Sequence, residues 1–260
     1  MMRSEKILAG LRQDGLGLEI GGGYNPLATG PSVRHLDQAD QETLRTKFAA
    51  EGADPQNVPH VDYVWNGANY AELVGEDRFD WIVASHVIEH MPCLIRFLQE
   101  CEAILTQGGI LSLAVPDKRY CFDHYRPSAA LARVIDTFLH AVRRPTAGAL
   151  AEMLLNASAL EGNICWNAGS IGNPVLIHGV PDALAAMERS SAGAYCDTHV
   201  WAFTPNAFRL LIHDLNALGF TRFAEISFTP TTEGEFYIQL GLDQRSALNR
   251  VDLARAALLD

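Results

Sequence analysis

Short apolar runs recur along the first half of the chain, and each stops at a glycine, an aspartate or a polar loop. Gly17–Ile20 runs into GGG, Val33–Leu36 closes at Asp37, Phe79–Ala84 (FDWIVA) precedes SHVIEHMP, and Ile110–Val115 (ILSLAV) precedes a polar loop. Runs of this kind, bounded by turn residues, suit strands buried on both faces. Helical patterns lie between them. Asp40 stands where an N-cap belongs, for a helix to about Glu51 that Gly52 stops. Pro92 opens, and Gly108–Gly109 closes, a segment in which Leu94, Phe97, Leu98, Cys101, Ile104 and Leu105 share one face. Strands alternating with helices predict an α/β fold on a parallel sheet. Such sheets bind ligands beyond the carboxyl ends of their strands. The chemistry is therefore expected just after Ile20, Leu36, Ala84 and Val115.

The rhythm breaks from Pro127 to about Cys196. One helix, Ala129–Val142, is followed by mixed Gly, Asn, Ser and Ala, which reads as an insertion or lid. Order returns at TPNAFRLLIHDLNALGF. Thr204 caps, Pro205 begins the helix, Phe208, Leu211, Ile212, Leu215 and Leu218 form its face, and Gly219 ends it. Phe223–Phe228 and Glu235–Leu242, joined by PTTEG, read as an antiparallel hairpin, so the sheet would finish with a reversed strand. Arg245–Leu259 reads as a terminal helix. The expected organisation is one domain: a core of 15–126 and 199–243, an insertion over 127–198 and a helix within 244–260.

Composition narrows the functional classes. The 260 residues are 48% hydrophobic and 20% charged, enough for a sizeable core. A net charge of -11 and a pI near 5.2 disfavour nucleic acid and anionic membranes as partners. The cysteines, Cys93, Cys101, Cys121, Cys165 and Cys196, include no C-x-x-C pair and read as reduced thiols of a cytoplasmic protein. MMRSEKILAGLRQDG lacks the apolar run of a signal peptide, and no stretch is apolar enough to span a membrane.

Three motifs carry chemistry. LEIGGGYNP, Leu18–Pro26, places a carboxylate at a strand end before a glycine turn, and Gly21 and Gly23 let backbone approach a ligand. Pro26 stands where the third glycine of a G-x-G-x-x-G dinucleotide fingerprint would be, which counts against a nicotinamide cofactor. Asp37 ends the second strand, where a carboxylate can accept hydrogen bonds from both hydroxyls of a ribose. SHVIEHMP, Ser85–Pro92, contains H-x-x-E-H, the spacing of an inverted zinc-hydrolase motif. That motif needs a helix with its histidines one turn apart. Here it follows a strand directly, and Pro92 biases Met91 away from helix, so the histidines belong on a loop. The bland alternative is that Glu89 caps the next helix and His90 packs on the sheet.

The segment ASHVIEHMPCLIRFLQECEAILTQGGILSLAVPD, with LEIGGGYNP and HLD, resembles class I S-adenosylmethionine-dependent methyltransferases over about residues 15–126, and 199–242 resembles their last helix and hairpin. The resemblance implies a Rossmann-like fold with a mostly parallel seven-stranded sheet and an antiparallel last strand. It implies S-adenosylmethionine as cofactor, with Glu19, Gly21 and Gly23 bordering its methionine part and Asp37 holding the ribose. Asn66 and Gly67, in DYVWNGAN after the third strand, would lie beside the adenine, although Asn66 departs from the usual acidic residue. Ser85 and His86 would lie near the reacting centre. The segment also resembles ubiquinone-pathway O-methyltransferases, which can bind a divalent metal at this loop. His86, Glu89 and His90 are conceivable ligands on that likeness, and no metal is assigned.

VPDKRYCFDHYR, Val115–Arg126, should face the acceptor. Asp117, Arg119, Tyr120 and Arg126 are its expected substrate-binding residues, because aromatic faces beside charged donors and acceptors suit a polyhydroxylated ligand. PDKRYCFD resembles a methyltransferase subgroup associated with glycosyltransferases and polysaccharide assembly, which implies a sugar or glycan hydroxyl as acceptor. A small aromatic or natural-product hydroxyl is the alternative, and a non-catalytic S-adenosylmethionine-binding protein the rival of another class. A hydroxyl acceptor calls for a general base near neutrality, and His90 and His124 are the expected catalytic residues, with His199 reaching in from the lid boundary as a further possibility.

Overall fold

The computed structural model describes residues 2–12 and 14–260. In chain order its elements are α1 (Arg3–Ile7), β1 (Gly17–Ile20), β2 (Val33–Asp37), α2 (Gln41–Ala50), β3 (Tyr63–Val64), α3 (Tyr70–Val74), β4 (Phe79–Ser85), α4 (Leu94–Ile104), β5 (Leu105–Pro116), α5 (Leu131–Leu139), α6 (Ala147–Asn156), β6 (Ser158–Ala159), β7 (Val175–Leu176), α7 (Val180–Ser191), α8 (Pro205–Ala217), β8 (Ala224–Thr232), β9 (Glu235–Gly241) and α9 (Arg250–Ala257). Seven strands form one sheet in the order β3-β2-β1-β4-β5-β9-β8, and β6 and β7 form a separate two-stranded ladder. The first five strands of the sheet pair in parallel, whereas β9 runs against both its neighbours. This is the Rossmann-like α/β architecture expected from the sequence. The reversed strand is last in the chain but sits inside the sheet, with β8 at the edge.

Period-two alternation along β4 divides the core. Ile82 and Ala84 join Leu18, Ile20, Leu111 and Leu113 on the face covered by α4 and α8. Trp81 and Val83 point the other way, into a second cluster with Ala114, Tyr237, Ile7 and Leu11. The short α1 thus roofs one face, and the Trp81 indole N–H donates to the Arg12 carbonyl at 2.8 Å. Gly17 is required here for space: a Cβ on it would lie 2.0 Å from a Trp81 ring atom.

Helix α2 starts as expected, with the Asp40 carboxylate accepting from the Thr43 N–H at 2.8 Å. Other boundaries move for identifiable reasons. Helix α4 ends at Ile104 and the chain enters β5 at once. Gly108 and Gly109 lie in a bulge, where the pairing with β4 jumps from Phe79–Leu105 to Trp81–Ile110. The hairpin loop is tighter than PTTEG suggested. Thr232 pairs with Glu235, and Glu233 and Gly234 both have positive φ (55° and 84°), the pattern of a two-residue type I′ turn. Thr204 stands at the N-cap of α8 without a side-chain cap bond; Asp260 accepts from the Asn206 and Ala207 N–H groups instead. The terminal helix is shorter than Arg245–Leu259. The 127–198 insertion is more regular than its composition suggested, since α5, α6 and α7 all lie in it.

Replacing Gly17 by alanine should lower stability by about 1–3 kcal/mol, the usual cost of overpacking a filled core. Urea unfolding checks this, and a variant as stable as the parent contradicts the Gly17–Trp81 packing.

Candidate functional site

The loop after β1 is held from inside. Glu19 is 1% exposed, and its carboxylate accepts from the N–H groups of Leu27 at 2.8 Å and Ala28 at 3.0 Å. These bonds fold residues 21–28 back over the end of β1. Burial pushes the Glu19 carboxyl up to about 7, against the pull of the two amides. Gly21 takes φ +70° and donates its N–H to the Leu36 carbonyl at 2.9 Å, and a Cβ on it would lie 2.7 Å from a Val87 methyl. Gly23 takes φ +54° and donates to Asp37 Oδ2 at 3.2 Å, while Asp37 Oδ1 accepts from the Gln38 N–H at 2.7 Å. Burial raises the Asp37 pKa, with the Gln38 and Gly23 amides opposing it.

The chain switches direction between β1 and β4, sending β2 and β3 to one side and β5 to the other. A cleft of about 190 Å³ opens there, at the carboxyl ends of the strands. Gly21, Gly23, Asp37, His86 and His90 line it, all of them sequence-predicted site residues, together with Phe48, Trp65, Tyr70, Tyr195 and Asp197. Asp37 offers acceptor capacity for hydroxyls, the glycines leave the floor free of side chains, and aromatic rings supply flat apolar walls. These residues fit S-adenosylmethionine: Asp37 suits its ribose, and Trp65 or Tyr70 suits a base. A larger adjoining cavity of about 430 Å³ shares Trp65, Tyr70 and Met91.

Several expected residues lie elsewhere. Glu19 does not border the cleft; it faces inward and shapes the loop. Asn66 is exposed and its side-chain oxygen accepts from the Ala68 N–H, and Gly67 lines the adjoining cavity; Trp65 takes the position in the cleft wall. Ser85 is absent from the cleft lining and accepts from Arg3, whose guanidinium also grips Glu235 at 2.6 and 2.7 Å. His86 takes φ +54° and bonds Glu235 through Nε2 at 2.7 Å. Burial would raise the Glu235 pKa, but hydrogen bonds from His86, Arg3 and Tyr237 hold it at about 2.

The expected acceptor wall is internally consumed. Asp117 is 0% exposed and accepts from the Arg119 guanidinium and from the Thr231 hydroxyl. Arg119 is therefore committed to Asp117 and, at 3.7 Å, to Asp260. Arg126 is 2% exposed and donates to Asp123, Glu152 and the carbonyls of His199 and Val200. Both arginines thus spend donors on internal partners. Tyr120 and His124 are outside the cleft lining; His124 donates Nδ1–H to the Arg119 carbonyl and packs by Tyr125 and Trp166.

The segment returning from the insertion completes the site. The N–H groups of Val200 and Trp201 donate to the Glu89 carbonyl at 2.7 and 3.1 Å, and the Trp201 indole donates to the Met91 carbonyl at 2.7 Å. This stitching brings His199 against the SHVIEHMP loop, where residues 88–90 form a short 3₁₀ turn. The H-x-x-E-H spacing builds no helical histidine pair: His86 turns to Glu235 and His90 to Asp197. Glu89 does not cap α4; both its carboxylate oxygens are buried without a hydrogen-bond partner. The His90 and His199 rings meet edge to face at 4.6 Å, and His199 Nδ1 bonds Asp123 at 2.6 Å. Among the described residues, Glu89, His90 and His199 are the group of donors close enough to share a metal ion. Tyr195, Asp197 and the placement of His199 depend on contacts about a hundred residues apart. Their sequence signal is faint, an Asp and a His two positions apart in CDTHVW.

Glu19→Gln leaves one amide of the loop facing an NH₂ group instead of an acceptor, at a cost of about 1–3 kcal/mol. Hydrogen exchange by NMR should show faster exchange at Leu27 and Ala28, and unchanged protection at both contradicts the role given to Glu19.

Human mitochondrial ubiquinone biosynthesis O-methyltransferase is 34% identical over 113 residues, which are 40% of this chain and 30% of that protein. The ubiquinone biosynthesis O-methyltransferase of Nitrobacter winogradskyi is 28% identical over 119 residues, 45% of this chain and 43% of that one. The matches therefore span less than half the length of either relative. Among solved structures, a SAM-dependent methyltransferase from Aquifex aeolicus is 11% identical over 92% of this chain and 89% of that one, with a TM-score of 0.44, too loose a likeness to inform the site. The sequence profile of the methyltransferase domain family matches residues 3–216. With that match over most of its length, and a cleft suited to S-adenosylmethionine as cofactor, the chain belongs to the methyltransferase domain family.

Proposed function

We propose that the chain transfers the methyl group of S-adenosylmethionine to a hydroxyl of a small-molecule acceptor, and that His90 receives the hydroxyl proton. The observation that carries this reading is the position of His90: it lines the cleft beside Asp197, whose carboxylate lies 3.1 Å from Nδ1. Methyl transfer from a sulfonium is an in-line displacement whose leaving group the cofactor already carries. The protein's part is to orient the reactants, exclude water and take a proton. Burial alone would lower the His90 pKa, but the Asp197 hydrogen bond and the charges of Glu89, Asp197 and Asp123 outweigh it and raise the value. A base with a raised pKa is stronger once deprotonated, which suits abstraction from a hydroxyl.

The O-methyltransferase names of the curated relatives support an oxygen acceptor, while the short match leaves their substrates with them. A sugar hydroxyl is one acceptor of this class. The loop that suggested it, Asp117–Arg126, spends its charges on its own ion pairs, so recognition falls to Met91, Tyr195 and the returning lid segment. That lining suits an aromatic or natural-product hydroxyl better than a bare sugar.

A methyl-transfer assay on a panel of hydroxyl acceptors tests the reading. His90→Ala should lower kcat/KM by about 10²–10⁴-fold. The base must be neutral, so the rate should rise with pH through a pKa above the ordinary 6.5 of histidine. Asp197→Asn removes the partner that raises it and should move that limb to lower pH. Full activity in His90→Ala, or a product methylated on nitrogen, carbon or sulfur, contradicts the proposal.

A further inference from the structure

The Glu89 carboxylate is fully buried, and neither oxygen has a hydrogen-bond partner among the described residues. A buried carboxylate without donors is unfavourable unless a positive charge faces it. Three imidazoles lie near it instead, and one of them, His86, has Nδ1 3.9 Å from Oε1. His199 Nε2 lies 3.9 Å from Glu89 Oε1, and a donor nitrogen of His90 falls within the same 4.8 Å group. A carboxylate also holds one nitrogen of each imidazole. Asp123 accepts from His199 Nδ1 at 2.6 Å, so Nε2 is the ring nitrogen left toward Glu89, and Asp197 lies 3.1 Å from His90 Nδ1. A carboxylate on the second nitrogen of a histidine is the arrangement that orients imidazoles toward a metal and makes them better donors.

We propose that Glu89, His90 and His199 form a binding site for one divalent first-row transition ion, with Asp123 and Asp197 as the outer supports. One carboxylate and two imidazoles suit zinc, cobalt or manganese, whereas magnesium and calcium favour all-oxygen surroundings. Bonds to such ions are about 2.0–2.2 Å, so donors sharing one ion lie about 3–4 Å apart, a small contraction of the present group. The ligand set differs from the His86, Glu89 and His90 set that the loop's resemblance suggests. His86 Nδ1 is as near to Glu89 Oε1, at 3.9 Å, but His86 lies outside the group whose donor atoms all come within 4.8 Å of one another. The third ligand comes from the segment that returns from the insertion, so ion binding would also pin that segment to the SHVIEHMP loop.

The site stands without the methyl-transfer reading, and His90 accepts the hydroxyl proton only in the ion-free chain, because a nitrogen given to an ion is not free to take one. The test uses the full chain after chelator treatment, titrated with Zn²⁺, Co²⁺ and Mg²⁺ by calorimetry, with the visible absorption of bound Co²⁺ as a second readout. One equivalent of Zn²⁺ and of Co²⁺ should bind, with Mg²⁺ much weaker. Glu89→Gln and His199→Ala should each weaken Zn²⁺ binding by more than tenfold. Asp197→Asn, which keeps all three ligands and changes an exposed side chain, should weaken it by about 10–100-fold and remains informative if either ligand variant misfolds. His86→Ala should leave Zn²⁺ affinity unchanged. No ion bound by folded wild type, preference for Mg²⁺, or loss of binding in His86→Ala but not in His199→Ala each overturns the proposal. S-adenosylhomocysteine titrated into the same samples separates the two readings: cofactor binding without metal sinks this site alone, and metal binding without cofactor sinks the methyltransferase reading alone.

Discussion

A parallel strand can reach its neighbour in the sheet only through a crossover, so the loops that follow β1, β2 and β4 must all emerge on one edge. The strand-end side of the cleft depends on that constraint. Where the chain changes direction between β1 and β4, the loops part and leave a gap into which backbone and side chains from three strands project. The sheet therefore brings Gly21, Asp37 and His86 together although 65 residues separate the first from the last. What remains is to hold the loops still, and buried carboxylates do this. Glu19 ties the first loop to its own strand, Asp37 ties it to the second, and Glu235 fixes His86 and Arg3 under the third.

The other side of the cleft is built differently. It comes from a segment that leaves the core at Pro127 and returns near His199. Arg126 stands at its root, buried, with donors directed to Asp123, Glu152 and two carbonyls of the returning segment. A fully buried arginine is tolerated because each neighbour satisfies part of its charge, and removal of one partner from such a network is far costlier than the network's net worth. The same Asp123 orients His199, so one carboxylate links the clamp that closes the insertion to the imidazole that meets His90.

Much of this was legible in the sequence because it is local. Apolar runs ending in glycine or aspartate gave the parallel strands, and the strand ends located Gly21, Gly23, Asp37, His86 and His90 in the cleft. Several of the misplacements share one cause: polarity was read as exposure. Asp117, Arg119 and Arg126 look like a solvent-facing binding loop, yet ion pairs let Asp117 and Arg126 pack inside and hold Arg119 half-buried. Glu19 looks like a ligand contact and serves two backbone amides. Ser85 and Asn66 are occupied by Arg3 and by the Ala68 amide. No periodicity foretells that Arg3 reaches Glu235 across 232 residues, or that His199 meets Glu89 across more than a hundred. Those contacts exist only once the sheet has folded.

The central claim is that the cleft between the loops of β1, β2 and β4 is the S-adenosylmethionine site, with Asp37 accepting from the ribose. Calorimetric titration of S-adenosylhomocysteine into wild type and Asp37→Ala tests it most directly. The account predicts a saturable one-to-one complex, weakened in the variant by about 1.5–3 kcal/mol for each charge-assisted hydrogen bond lost, or roughly 10–150-fold. Folded wild type that takes up no ligand, or an Asp37→Ala variant that binds as tightly as wild type, would contradict it.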